Sequence, residues 1–327
     1  MSRAAPDQDR LAAAVGRHRG HPVRVGDLRR LSGGASRETW SFDAVTDDGD
    51  RVPLVLRRDP AGYLGWSERA VEYELLRLAH EGGVAVPRVR FLLEDDDGLG
   101  SGFVMDRVEG ETIPRKILRD DEYATARPHL ARQCGEQAAR IHALEPGDLP
   151  PLDRDTPRTQ LDRYRELLDG FGDPHPAFEL GLRWLADHAP SEPERARLVH
   201  GDFRNGNLVV GPDGLRAVLD WELAHLGDPT EDLGWLCVKS WRFGATDRRV
   251  GGFGDVDELV AGYRDAGGGE IDSETLRWWE LFGTLKWGVI CQIQAFTHLN
   301  GAVRSVELAA LGRRVAEMEW DLLELLP

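Results

Sequence analysis

Near Gly110 the hydrophobic pattern of this chain changes period, and that change divides what it can fold into. Before it, short runs such as ETWSFDAV, VPLVLRR and GFVMDRV are bounded by Gly, Asp and Pro clusters, the punctuation of strands and turns. One helical interval interrupts them. Val71, Leu75 and Leu78 repeat at helical spacing, Ser67 is placed to cap the start, Glu68 suits the positive helix end, and Gly82-Gly83 close it. After Gly110 the periods are long and helical: Leu130, Cys134, Ala138 and Ile141 mark one apolar face, Leu276 to Phe296 a second, and Leu308, Leu311, Val315, Met318 and Leu322 a third. The pattern predicts an α+β chain in two lobes. The first, over residues 1–106, is small and β-rich with one main helix, and residues 1–25 are a flexible or helical extension of it. The second, over residues 107–327, is larger and mostly helical.

Charge and cysteine usage exclude several partners. With 41 Lys+Arg against 57 Asp+Glu over 327 residues, the net charge of −16 repels nucleic-acid backbones and anionic membrane surfaces. Cys134, Cys237 and Cys291 form no CxxC pair, which argues against a disulfide framework or structural zinc and for a reducing cytoplasm. The N-terminus has no apolar core suited to a secretion signal, and the most apolar stretch, residues 276–299, carries Lys286, Gln292 and Gln294. A cytoplasmic chain is expected.

Residues 198–222, LVHGDFRNGNLVVGPDGLRAVLDWE, carry the chemistry. Asp202 is followed after five residues by Asn207 and after thirteen more by Asp220, with LVV and LRAVL as strands around an Asp-Gly turn. A loop bearing Asp and Asn, then a hairpin ending in a second Asp, can bring three oxygen ligands to one strand end. Phosphoryl transfer needs such a set: a carboxylate to take the proton of the attacking hydroxyl, and hard oxygens to hold Mg²⁺ against phosphates. Asp202 is the expected base, and Asn207 and Asp220 the expected metal ligands. Asp220 follows the apolar run Ala217-Val218-Leu219, where an uncompensated carboxylate is costly. His200 is expected to brace the loop.

This segment resembles the catalytic and metal-binding loops of the aminoglycoside phosphotransferase family, within the protein-kinase-like superfamily. HGDFRNGN stands where kinases carry HRD-x4-N, and Asp220-Trp221-Glu222 where they carry DFG. The continuing residues His225, Gly227-Asp228-Pro229 and Asp232-Leu233 resemble the branch that includes kinase-like domains attached to acyl-CoA dehydrogenases. The resemblance implies a protein-kinase-like fold, ATP (or GTP) with Mg²⁺ as cofactors, a small-molecule hydroxyl as acceptor, and Asp232 as a support beneath the catalytic loop. It also gives the first lobe its roles. Ser32, Gly33, Gly34 and Ser36 lie in a Gly-rich turn whose backbone N–H groups would meet phosphate. Arg57 stands where a kinase places its strand Lys, with Glu72 as its expected partner and Glu74 as the competitor. Met105 would line the adenine pocket, while the carbonyl of Asp106 and the N–H of Val108 would meet the adenine edge.

Acceptor selection falls to the helical lobe in this resemblance. Trp235, Trp241, Trp278, Trp279 and Trp287 are candidates, although aromatic residues at helical spacing also build cores. Lys239, Arg242, Arg248 and Arg249 follow the metal segment and lean toward an anionic or neutral acceptor. Two other readings compete. A non-catalytic nucleotide-binding module acting through a partner predicts loss of the base or metal ligands, and all three residues are present. A metal-dependent hydrolase predicts more His ligands than His200 and His225. Neither the acceptor nor the oligomeric state is written in the sequence.

Overall fold

Alternation along the first strands decides how the sheet is covered. In the computed structural model, which describes residues 5–31, 38–59 and 69–327, helix α1 (Gln8–Arg19) precedes strands β1 (Arg24–Arg30), β2 (Glu38–Val45) and β3 (Arg51–Arg58). Helix α2 (Arg69–Glu81) then leads to β4 (Val89–Leu92) and β5 (Gly102–Asp106). The five strands form one antiparallel sheet in the order β1-β2-β3-β5-β4. Successive strand side chains point to opposite faces. Trp40, Phe42, Leu54, Leu56 and Val104 therefore share one face with Leu11, Ala14 and Val15 of α1. Val55, Phe103 and Met105 share the other with Leu75, Leu76 and Ala79 of α2. The N-terminal extension is thus helical and covers the outer face, with Asp7 capping it by accepting from the N–H groups of Asp9 and Arg10. The expected cap residues of α2, Ser67 and Glu68, lie outside the described residues.

Beyond Gly110 helices dominate. They are α3 (Pro114–Arg119), α4 (Arg127–His142), α5 (Pro157–Phe171) and α6 (Pro176–Asp187). Four short strands follow, β6 (Arg197–Val199), β7 (Leu208–Gly211), β8 (Gly214–Val218) and β9 (His225–Gly227). Helices α7 (Thr230–Cys237), α8 (Val256–Asp265), α9 (Ser273–Leu299), α10 (Val306–Gly312) and α11 (Val315–Leu325) complete the chain. The apolar face read from Leu308 to Leu322 is shared by two helices, because the chain turns at Arg313–Arg314 between α10 and α11. No described helix is long and apolar enough to cross a membrane.

The sheet and the helices share a core. Val55, Phe103 and Met105 belong to the same buried cluster as Leu130 and Ile141 of α4, Leu208 of β7, and Trp221. Backbone bonds cross with it: Val218 N–H donates to Ala85 O, and Glu111 exchanges hydrogen bonds with Val210.

Candidate active site

The loop between β6 and β7 carries His200, Asp202 and Asn207, and the hairpin β7–β8 returns to deliver Asp220 beside them. Gly201 makes the loop possible. Its φ is +80°, and a Cβ there would lie 2.4 Å from the carbonyl oxygen of Leu223, so no other residue fits. Asp202 is half-buried, and its carboxylate is held from three directions. Asn207 Nδ2 donates to Oδ2 at 2.6 Å, while Arg204 Nε and Trp235 Nε1 both donate to Oδ1 at 2.9 Å. Each carboxylate oxygen can accept two bonds, so Oδ1 is filled and Oδ2 keeps one acceptor position. That position is where a hydroxyl proton can go.

Beneath the loop lies a brace. Asp202 N–H donates to Nδ1 of the fully buried His200, which puts the His200 proton on Nε2, 3.1 Å from the carbonyl oxygen of Leu219. Burial holds the imidazole below its usual pKa, so this neutral tautomer is the stable one. Asp232 accepts from the N–H groups of His200 and Gly201, at 2.8 and 2.9 Å, and from His142 Nε2 at 3.0 Å. Its burial opposes the charge, but these donors outweigh that cost and keep the carboxyl below the ordinary range. Neighbouring Glu231 is fully enclosed. It accepts from Gln160 at 2.5 Å, lies 3.1 Å from His225 Nε2 and 3.3 Å from Lys286 Nζ, and is held at a pKa of about 2 by these cations against the opposing effect of burial.

The third expected ligand, Asp220, faces the sheet. The bond from Leu219 N–H to Asn207 O, at 2.8 Å, ties its strand end to the loop that carries Asp202. Its backbone lies in the left-handed region at φ +68°, which Asp tolerates better than most residues. Arg57 Nη2 ion-pairs with its Oδ1, and Arg57 Nε lies 3.0 Å from Glu72 Oε1. Burial again works against the Asp220 charge, and Arg57 outweighs it, holding the carboxyl below the ordinary range. The planar fork spans both carboxylates, which a single ammonium does less well. Glu74 is turned outward and pairs with Arg77.

The donor set fits a hard divalent ion. Asn207 spends both amide hydrogens on Asp202, leaving its carbonyl oxygen, and Asp220 has a second oxygen without a hydrogen-bond partner among the described residues. One carboxylate and one carboxamide are what Mg²⁺ takes from protein when phosphates and water complete its shell. Of the residues expected to meet a nucleotide base, Met105 is buried in the core that backs β5. The Asp106 carboxylate is gripped by Arg90 at 2.6 and 2.7 Å, and Val108 lies half-buried in the link that follows. Ser32, Gly33, Gly34 and Ser36 lie outside the described residues.

Two groups on Asp202, Arg204 and Trp235, were not expected there. Arg204 sits two residues away inside the motif itself, where a cation beside Asp202 was the available signal; Trp235 is 33 residues distant and left none. The basic residues after the site also read differently in three dimensions. Lys239 pairs with Asp321 and Glu324, Arg242 and Arg249 both with Glu280, and Arg248 with Asp255. They are structural ion pairs, each neutralised by an acid 7 or more residues away in sequence, and do not make an acceptor patch. Trp278 and Trp279 are core, with their N–H groups on Leu185 O and Asp228.

The sequence model of the phosphotransferase enzyme family (APH) matches residues 27–279, well over half of the chain. The chain belongs to that family. Among curated relatives of this family member, mouse acyl-CoA dehydrogenase family member 10 is 31% identical over 244 residues, covering 70% of this chain and 21% of the relative. Chicken acyl-CoA dehydrogenase family member 11 is 30% identical, covering 72% of this chain and 30% of the relative. The chain therefore spans less than a third of the length of either relative. A candidate aminoglycoside phosphotransferase from Ralstonia eutropha JMP134 shares the fold over 98% of both chains, with a TM-score of 0.73 and 23% identity. Macrolide 2′-phosphotransferase MphH from Brachybacterium faecium covers 94% of this chain and 97% of its own at a TM-score of 0.64 and 20% identity. A thermostable mutant of aminoglycoside phosphotransferase APH(4)-Ia, solved as a ternary complex with AMP-PNP and hygromycin B, reaches a TM-score of 0.59 at 18% identity over 95% of this chain and 98% of its own.

Proposed function

We propose that the chain moves the γ-phosphoryl group of ATP, or of GTP in the same place, onto a hydroxyl of a small molecule. The observation that carries this reading is the Asp202 carboxylate, fixed by three donors with a single acceptor position left on Oδ2. The acceptor hydroxyl gives its proton to that oxygen while its own oxygen forms the new bond to phosphorus. The bond between the γ-phosphorus and the bridging oxygen breaks, and the nucleoside diphosphate leaves. Mg²⁺, when bound, would neutralise phosphate charge, and Asn207 and Asp220 would hold it. Arg57, positioned by Glu72, would contact the phosphates. The Gly-rich turn with Ser32, Gly33, Gly34 and Ser36 would cradle them, and Met105, Asp106 and Val108 would meet the base. His200 and Asp232 keep the loop in shape and take no part in bond making. The two lobes, 1–106 and 107–327, would then close on the nucleotide between them. A ternary nucleotide complex of a structural neighbour supports nucleotide use.

Asp202→Ala tests the assignment. Transfer to any acceptor should fall by roughly 10²–10⁴, the usual share of a general base, while Mg·ATP binding by calorimetry changes little. A variant that still transfers phosphate at the wild-type rate overturns it.

A further inference from the structure

Helix α2 opens on a cation, which its own dipole disfavours. The positive end of a helix repels a guanidinium, and burial strips the group of water. Yet Arg69, the first residue of α2, is only 2% exposed. Both effects count against an arginine in that place, so its contacts have to explain it.

Those contacts are two carboxylates. Arg69 Nε donates to Asp59 Oδ1 at 2.8 Å, and Nη1 pairs with Glu72 Oε2, three residues on in the same helix. Asp59 follows the last residue of β3, and its N–H donates to Ser101 O at 2.9 Å, beside the start of β5. The far end of the network is therefore anchored to the sheet. Nη2 has no acceptor among the described residues and is closed off from solvent, so the guanidinium keeps its two partners although one donor is stranded.

Glu72 is the member that reaches the site. Its oxygens are divided: Oε2 faces Arg69, while Oε1 lies 3.0 Å from Nε of Arg57, whose Nη2 is on Asp220. Asp59, Arg69, Glu72, Arg57 and Asp220 thus form one run of alternating charge, from the end of β3 to the strand end beside the Asp202 loop. Without Arg69, the buried Glu72 carboxylate could turn both oxygens on Arg57, and the first turn of α2 would lose its tie to β3. A buried ionic network of this kind is held for where it puts its members more than for stability.

We propose that Arg69 is a positioning residue for the phosphate grip: by holding one oxygen of Glu72 and clamping the start of α2 to the end of β3, it fixes where Arg57 stands. This rests on the reading above that Arg57 contacts the nucleotide phosphates. Arg69 itself touches no reacting group. It acts through Glu72, so its effect on nucleotide binding depends on Arg57 being there. A residue that only kept α2 folded would act the same with or without Arg57.

The test is a double-mutant cycle on the full chain, read by calorimetry with AMP-PNP and Mg²⁺, with circular dichroism to report that each variant is folded. Arg69→Met should weaken AMP-PNP binding roughly tenfold when Arg57 is present, and by no more than about twofold in an Arg57→Met background. If Arg69→Met does not fold, Arg69→Lys keeps the charge without the fork, and the same cycle should then read about threefold against no change. Equal weakening in both backgrounds overturns the proposal, and so does wild-type affinity in the folded variant. A wild-type chain that binds no AMP-PNP sinks the proposal together with the reading beneath it. The expected coupling, found in a wild type that transfers no phosphate from ATP to any hydroxyl, leaves Arg69 its role and sinks the transferase reading alone.

Discussion

Asp232 and Asp220 are both carboxylates held below their ordinary pKa, and they are held by opposite means. Asp232 is fully buried, and its donors are backbone N–H groups of His200 and Gly201 plus a buried imidazole, none of which can leave without unfolding the loop. Asp220 is about 29% exposed, and its principal partner is the guanidinium of Arg57, reaching from β3 on a flexible stem. The first arrangement is permanent and shapes the loop. The second is exchangeable, because the guanidinium can swing away and leave the loop intact. A depressed pKa alone does not separate a scaffold from a site; the mobility of the partner does.

The largest effect should come from breaking the permanent half. Asp232→Ala strands two backbone donors and His142, and should cost about 3–5 kcal/mol in urea unfolding, as removal of one member of a buried charged network does. A loss under about 1 kcal/mol would mean that water replaces the carboxylate. Next comes the neighbouring Glu231, whose folded value of about 2 lies below the ordinary 4.5. Its stabilisation is therefore complete above pH 4.5 and is lost as the pH falls toward 2. Glu231→Gln should be less stable than wild type at neutral pH, and the gap should close across that window in unfolding curves taken at successive pH values.

The exchangeable half should answer differently. Asp220→Ala should shift unfolding stability by less than about 1 kcal/mol while lowering Mg²⁺-dependent nucleotide affinity at least about tenfold by calorimetry. A variant that melts several degrees lower and binds nucleotide normally would reverse the comparison. The smallest effect belongs to Glu74→Ala, which removes an exposed pair with Arg77 and should change stability by about 0.5 kcal/mol or less. Thermal melting of that variant beside Glu72→Ala separates a surface glutamate from one enclosed between Arg57 and Arg69.

Local signals in the sequence were enough for β2, β3 and β5 of the sheet, the hairpin and the loop. They were not enough for β1 and β4, whose apolar alternation is weak or short. The Asp-Gly turn at Asp213-Gly214 announced β7 and β8, and the spacing of Asp202, Asn207 and Asp220 put them at neighbouring strand ends. Helical phase separates Glu72, three and four residues before the buried Leu75 and Leu76, from Glu74, and that is a short-range property. Long-range partnerships were not legible. Nothing near Trp235 says that its N–H reaches Asp202, and nothing near Arg242 or Arg249 says that Glu280 will neutralise both. Helices α5 and α6 went unread because charged residues interrupt their apolar positions, and at the turn at Arg313–Arg314 the only local sign is Gly312, the last residue of α10.

The buried cluster shared by the sheet and α4 has a mechanical consequence. Since Val55 and Phe103 pack into the same apolar mass as Leu130 and Leu208, severing the polypeptide after Asp106 would strip a greasy surface bare on each fragment. The fragments should be insoluble apart, and the intact molecule should melt in one step. Any jaw-like motion must swing about this seam and cannot pull it open.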